Sequence, residues 1–98
     1  MPEPKNQQPQ LQLNADNETL KGRYANMLSI SHSPEEFVLD FMLLYPPAGQ
    51  QVARIVTSPG HVKRIIAALA DNVKKYESRF GEIKAAEEPK SEPMGFHR

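Results

Sequence analysis

Two charged residues interrupt the most apolar part of the sequence and are the first candidates for chemistry. Asp40 lies within the apolar run 37–45, and Arg54 lies within the next apolar segment, 51–57. If these segments are neighbouring strands joined by a tight turn, both side chains share a face and form an ion pair, either across the strands or between subunits. Acid–base catalysis would need a second acid or base in the same site, and the sequence offers no clear one. We therefore predict a structural ion pair, costly to break if buried, and no catalytic residue.

The other reactive side chains match no catalytic or metal-binding pattern. The sequence has no Cys, its three His are not spaced as metal ligands on a helix, and no Ser lies in a Gly-x-Ser-x-Gly elbow. The sequence therefore predicts no metal and no cofactor, and it argues against an enzyme.

Basic residues on a predicted helix are the candidate contacts for an anion or a nucleic acid. Ser58-Pro59-Gly60 precedes Lys63 and Arg64, so a helix N-terminus lies close to positive charge. The candidate contacts are His61, Lys63, Arg64, Lys74, Lys75 and Arg79. The whole chain is neutral, with 12 basic and 12 acidic residues, so nucleic-acid binding is a minority interpretation.

A long helix carries these basic residues. Ser58 is a suitable N-cap, Pro59 suits the first helical position, and Gly81 suits the stop, so we predict a helix over 59–80. Its apolar residues are spaced by three and four and form one stripe: Val62, Ile65, Ile66, Leu69, Val73, Tyr76 and Phe80.

Three alternating segments precede the helix and predict strands. They are 24–31, 37–45 and 51–57, with a turn at 46–50. The middle segment is ambiguous because Ser33-Pro34-Glu35-Glu36 resembles a helix capping box. A helix here would be apolar almost all round, so we favour a strand.

The predicted fold is therefore α+β, a three-stranded antiparallel meander followed by one C-terminal amphipathic helix. The helix is expected to cover the first sheet face, which carries Leu28, Phe37, Leu39, Phe41 and Ile55. Because the middle strand is apolar on both sides, we expect a second subunit to cover the other face. This second sheet face, our predicted oligomer interface, carries Met27, Val38, Asp40, Met42, Leu44, Val52, Arg54 and Val56.

The ends of the chain differ in composition from the middle. Residues 1–19 and 84–98 are polar and rich in Pro, which predicts disordered tails around a single domain at 20–83. The N-terminus has no signal-peptide pattern and no run of residues is long and apolar enough to span a membrane, so the expected location is cytoplasmic.

Several stretches together resemble the small prokaryotic family of domain of unknown function 3467. The resemblance covers about residues 22–83 and is carried by 24–26 (YAN), 31–41 (SHSPEEFVLDF), 54–59 (RIVTSP) and 76–83 (YESRFGEI). It implies a compact bacterial or archaeal domain and transfers no activity. The order of elements is also similar, at the level of fold only, to the subunits of SecB-type export chaperones.

These observations favour a small non-enzymatic interaction or adaptor module that forms a dimer or higher oligomer. One alternative is a nucleic-acid-binding dimer, either through the basic helix face or as a ribbon–helix–helix fold if 34–45 were helical. The other is a SecB-like chaperone that holds peptides on exposed apolar surface.

Overall fold

The computed structural model describes residues 10–87 and has the predicted architecture. Strands β1 (Met27–His32), β2 (Phe37–Tyr45) and β3 (Ala48–Thr57) form an antiparallel sheet in the order β1-β2-β3. A short helix α1 (Asn17–Lys21) precedes the sheet and a long helix α2 (Pro59–Phe80) follows it. The predicted meander followed by a C-terminal helix is confirmed.

Helix α1 was not expected from the sequence, and it crosses the predicted boundary between tail and domain at residue 19. The Asp16 carboxylate caps it, accepting a 2.7 Å hydrogen bond from the Thr19 backbone N–H. Gly22, with a φ of 79°, ends it. The outer parts of both predicted tails, residues 1–9 and 88–98, lie outside the described residues.

Helix α2 begins and ends where its sequence signals predict. The Ser58 hydroxyl accepts a 3.1 Å hydrogen bond from the His61 backbone N–H, so one of the unpaired N–H groups of the first turn is satisfied. At the other end, Gly81 adopts a φ of 98° and donates its N–H to the Glu77 carbonyl. Positive φ is accessible to Gly without a steric penalty, so the chain can leave the helix there.

The ambiguous middle segment is a strand, and its helix-like start is used in a turn. The Ser33 hydroxyl accepts 3.2 Å hydrogen bonds from the backbone N–H groups of Glu35 and Glu36, while the Ser33 N–H donates to the Glu36 carbonyl. Ser side chains make the same local bonds in turns as at helix N-termini, so the motif does not by itself specify a helix. Since Phe37–Tyr45 is a strand, the ribbon–helix–helix alternative is wrong.

The register separates the two faces of the sheet as predicted, with one exception. Leu39 pairs with Ile30 and Ile55 on the first face, and Asp40 pairs with Arg54 on the second. A β-bulge then shifts the register, because Phe41 pairs with Ala53 whereas Met42 pairs with Gln51. Val52 is the extra residue, and it lines a cleft together with Phe41 and Ala53 of the first face. Strict alternation predicts Val52 on the second face, and this prediction is wrong because the bulge interrupts the alternation.

Helix α2 does not cover the first sheet face, contrary to our expectation. Within residues 10–87 it makes almost no contact with the sheet. Its side chains at Leu69 and Phe80 are 61% and 68% exposed. Only two apolar side chains in this part of the chain are buried, Leu39 on the first face and Met42 on the second. Residues 10–87 of a single chain therefore contain no continuous core.

Asn26 extends the β1–β2 pairing beyond the first residue of β1. Its backbone N–H donates to the Met42 carbonyl at 3.0 Å. Its side-chain amide donates to the Leu44 carbonyl at 2.9 Å and accepts from the Leu44 N–H at 2.8 Å. The amide thus satisfies both backbone groups of Leu44, as a paired strand residue would.

We expect Asn26→Ala to lower the free energy of unfolding by about 1 kcal/mol, because both side-chain hydrogen bonds to Leu44 are lost. Urea unfolding monitored by circular dichroism, at one protein concentration, measures this change. Asn14→Ala is the matched control. Asn14 is exposed and lies before α1, outside the sheet, so no loss is expected there. Equal destabilisation by the two substitutions would contradict this role of Asn26.

Candidate functional site

The strongest polar cluster in the described residues joins β2 and β3 on the second sheet face. The Arg54 guanidinium donates from Nε to Asp40 Oδ1 at 2.7 Å and from Nη2 to Oδ2 at 2.9 Å. This is the bidentate arrangement in which Arg binds carboxylates most strongly. The predicted ion pair is therefore present across the strands of one chain.

Gln51 completes the cluster, and sequence reasoning missed it. Its Nε2 donates to Asp40 Oδ1 at 2.8 Å. Under strict alternation Gln51 would lie on the first face; the bulge at Val52 brings it opposite Met42, on the same face as Asp40. The alternating pattern itself contains no signal for this shift.

The cluster changes the ionisation of its carboxylate. The hydrogen bonds from Arg54 lower the pKa of Asp40 below its ordinary value, and its partial desolvation opposes this shift. The same pairing raises the pKa of Arg54. The Asp40 side chain is 17% exposed and that of Arg54 is 61% exposed, so the guanidinium shields the carboxylate from solvent.

The cluster is suited to structural pairing and poorly suited to catalysis. Asp40 is held as a carboxylate whose two oxygens already accept three hydrogen bonds, so it is a weak proton acceptor. Within residues 10–87 there is no group of three or more side chains able to hold a metal ion. A cleft of about 330 Å³ lies on the other side of the sheet, between α1 and Phe41, with Glu18 and Arg23 at its edge. It contains no pair of an acid and a base in contact.

The residues of the predicted interface lie together on the second sheet face, apart from Val52. Met42 is buried and Val56 is 49% exposed. The remaining apolar members, Met27, Val38 and Leu44, are half-buried. The structure thus brings the predicted set onto one surface that combines apolar residues with the Asp40–Arg54 pair.

Two further apolar surfaces are more exposed than the second face. On the first sheet face, Leu28, Ile30 and Ile55 are 41%, 54% and 49% exposed. On α2, the helix stripe is open along most of its length, and only Val62 and Ile65 in the first two turns are half-buried. We had expected these two surfaces to cover each other.

The predicted anion contacts do not form one site. Lys63 and Arg64 lie near the start of α2, about 16 Å along the helix axis from Lys74 and Lys75. Asp71 lies between the two pairs and forms a 3.1 Å ion pair with Lys75. Arg79 lies beside the Phe80 ring, with its Cζ 5.8 Å from the ring centroid. His61 is exposed in the first turn.

Comparison with known proteins supports the sequence resemblance. The model of one family, described as "Protein of unknown function (DUF3467)", matches residues 1–85. No curated protein and no solved structure matches the chain. Among the described residues, no helix has both the length and the apolar character needed to cross a membrane.

The pairing of Asp40 predicts a specific loss of stability in acid. Because its pKa is lower in the folded protein, its contribution is fully present above the unfolded pKa and is lost as the pH falls through the folded pKa, below about pH 4. In Asp40→Asn this part of the acid-induced loss of stability should be absent. Urea midpoints measured from pH 7 to pH 2 test this expectation.

Asp71→Asn provides the matched control for the acid titration. This substitution removes the exposed helical ion pair with Lys75 and leaves Asp40 intact. The variant should therefore lose the same amount of stability in acid as the wild type. An acid profile of Asp40→Asn that parallels that of the wild type would show that the ion pair does not stabilise the fold.

Proposed function

The chain belongs to the family described as "Protein of unknown function (DUF3467)", and from its geometry we propose that it is a small non-enzymatic module that assembles into a homo-oligomer and serves protein–protein interaction. We place it in a prokaryotic cytoplasm, in keeping with the family resemblance and the absence of Cys.

The observation that carries this proposal is the amount of uncovered apolar surface. Only Leu39 and Met42 are buried among the apolar side chains of residues 10–87, although this segment contains a sheet and a helix with an apolar stripe. Burial of apolar surface is the main force that stabilises a fold, so a chain that leaves this surface in water needs another source of burial. Other copies of the same chain are present at equal concentration and offer matching surfaces.

The absence of a convergent acid, base and nucleophile in the described residues supports the non-enzymatic part of the proposal. In the one tight polar cluster of the described residues, both Asp40 oxygens accept hydrogen bonds from within the cluster, from Arg54 and Gln51. Its side chains therefore have a structural explanation that requires no substrate.

A peptide-holding chaperone is a second candidate, and the first sheet face favours it. Leu28, Ile30 and Ile55 form an exposed apolar area beside the edge strand β1, where an extended peptide could also pair with the backbone. Suppression of the aggregation of an unfolded client by the wild type, and its loss in Ile30→Ser, would favour this function. Nucleic-acid binding gains no comparable support, because the basic residues of α2 are spread apart and partly paired.

We expect the wild type to be a dimer or larger at micromolar concentration, and Leu69→Gln to shift it toward monomer. Leu69 is 61% exposed at the centre of the helix stripe, so a polar amide there weakens any assembly that buries the stripe. Ala67→Gln is the matched control because it introduces the same side chain at a position roughly 100° or more around the helix axis from every residue of the stripe. Light scattering coupled to size-exclusion chromatography, over a dilution series, measures the mass.

Two outcomes would change this proposal. A wild type that stays monomeric and cooperatively folded at all concentrations would overturn it. An oligomer that tolerates Leu69→Gln but dissociates with Val56→Lys would retain the function and place the interface on the second sheet face, where Val56 is 49% exposed.

A further inference from the structure

The apolar residues of α2 follow the repeat of a two-stranded coiled coil. Omitting Ile65, the helix stripe alternates steps of four and three residues without interruption: Val62, Ile66, Leu69, Val73, Tyr76 and Phe80. In heptad terms Ile66, Val73 and Phe80 occupy a positions, and Val62, Leu69 and Tyr76 occupy d positions. A stripe of this kind packs against one partner helix at a small crossing angle.

We propose that α2 pairs in antiparallel orientation with α2 of a second copy, with the two-fold axis passing between the facing Leu69–Val73 pairs, at the height of position 71 along the helix. This inference rests on the proposed oligomeric function and specifies the partner and the orientation. In this register, stripe residues equally far from position 71 in opposite directions face each other. The residues that flank the stripe on one side pair symmetrically about Ala70, and those on the other side pair symmetrically about Asn72. The facing pairs are Val62 with Phe80, Ile66 with Tyr76, and Leu69 with Val73 of the second copy.

The sizes of the facing side chains favour this orientation. Each aromatic residue meets an aliphatic one, because Phe80 faces Val62 and Tyr76 faces Ile66. Layers of similar volume let the two helices stay at a constant separation. In a parallel pair every stripe residue meets its own copy. Two aromatic layers, Phe80 and Tyr76, then lie next to one small layer, Val73. The separation then varies along the axis.

The charges beside the stripe favour the same orientation. In the antiparallel register Lys63 faces Glu77 of the second copy, and the two-fold axis produces this attractive pair twice. Ala70 faces its own copy between them. One Glu77 oxygen, Oε2, accepts from the Ile83 N–H, which holds the carboxylate at this position while Oε1 remains available. In a parallel pair Glu77 instead approaches Asn72 of the second copy, so this attractive ion pair does not form.

The other flank is consistent with this register. Ile65 faces Arg79 of the second copy, whose aliphatic stem can cover an apolar neighbour while its guanidinium stays in water. Asn72 faces its own copy. Each side chain next to the stripe therefore meets a compatible partner.

Cross-linking tests the orientation, and the natural absence of Cys makes single substitutions specific. Ala70→Cys treated with a short bis-maleimide should give a covalent dimer, because residue 70 of both copies lies beside the two-fold axis. In a parallel pair the two Cys lie on opposite sides of the interface and do not cross-link. Ser78→Cys, on the outer side of α2, is the control and should remain monomeric on a denaturing gel.

A charge exchange provides a second test that depends on the register. Lys63→Glu and Glu77→Lys should each raise the dimer Kd by about tenfold, because each replaces two attractive pairs by two repulsive ones. The double variant should return the Kd close to that of the wild type. In a parallel pair positions 63 and 77 do not meet, so the double variant would show no recovery.

The outcomes separate this inference from the proposed function. Cross-linking at position 70 with recovery in the double variant supports the antiparallel pair. A wild-type oligomer with neither result overturns the pairing and leaves the oligomeric function standing. A monomeric wild type overturns both.

Discussion

The architecture depends on a middle strand that is apolar on both of its faces. Leu39 on the first face and Met42 on the second are the only apolar side chains buried within residues 10–87, and both lie in β2 between its two neighbours. The neighbouring strands β1 and β3 shield the centre of β2 from solvent, whereas the apolar side chains farther out on both sheet faces stay half-buried or exposed. A single helix can cover at most one face of a sheet, so burying both faces of β2 would take surface from outside this sheet and helix, as in the assembly that we propose.

The Asp40–Arg54 pair lies on the second of these two apolar faces. An ion pair on a face that a partner buries seldom adds much stability over apolar residues of similar volume, so burial of this face in the proposed assembly would gain little from the pair itself. Here the bidentate geometry and the hydrogen bond from Gln51 leave both carboxylate oxygens hydrogen-bonded within a single chain. The second sheet face can then be covered without leaving an unpaired charge, and the pair also fixes the register of β2 against β3, because a one-residue slip would place Asp40 and Arg54 on opposite faces.

The sequence specifies the elements of this fold better than their arrangement. Helix α2 could be delimited to the residue because Ser58, Pro59 and Gly81 are local signals with local consequences. The strand character of 37–45 was harder to infer, since Ser33 makes the same hydrogen bonds in a turn as at a helix cap. The bulge at Val52 left no trace in the alternating pattern, so Gln51 was assigned no role. Helix α1 had a readable signal in Asp16 and Gly22, which the polar composition of its surroundings obscured.

The position of α2 was the largest departure, and it has a physical cause. An amphipathic stripe indicates that a helix buries one side, but it does not indicate which surface covers that side. The alternating steps of four and three residues say more about the covering surface than amphipathicity alone. A helix that lies on a twisted sheet does not require an unbroken heptad pattern, whereas a helix in a coiled coil does. If the helices cover each other, the first sheet face with Leu28, Ile30 and Ile55 remains open in the assembled protein. The proposed helix pairing and the candidate peptide-binding area on the first sheet face would then lie on separate elements, so a substitution in one would leave the contacts of the other unchanged.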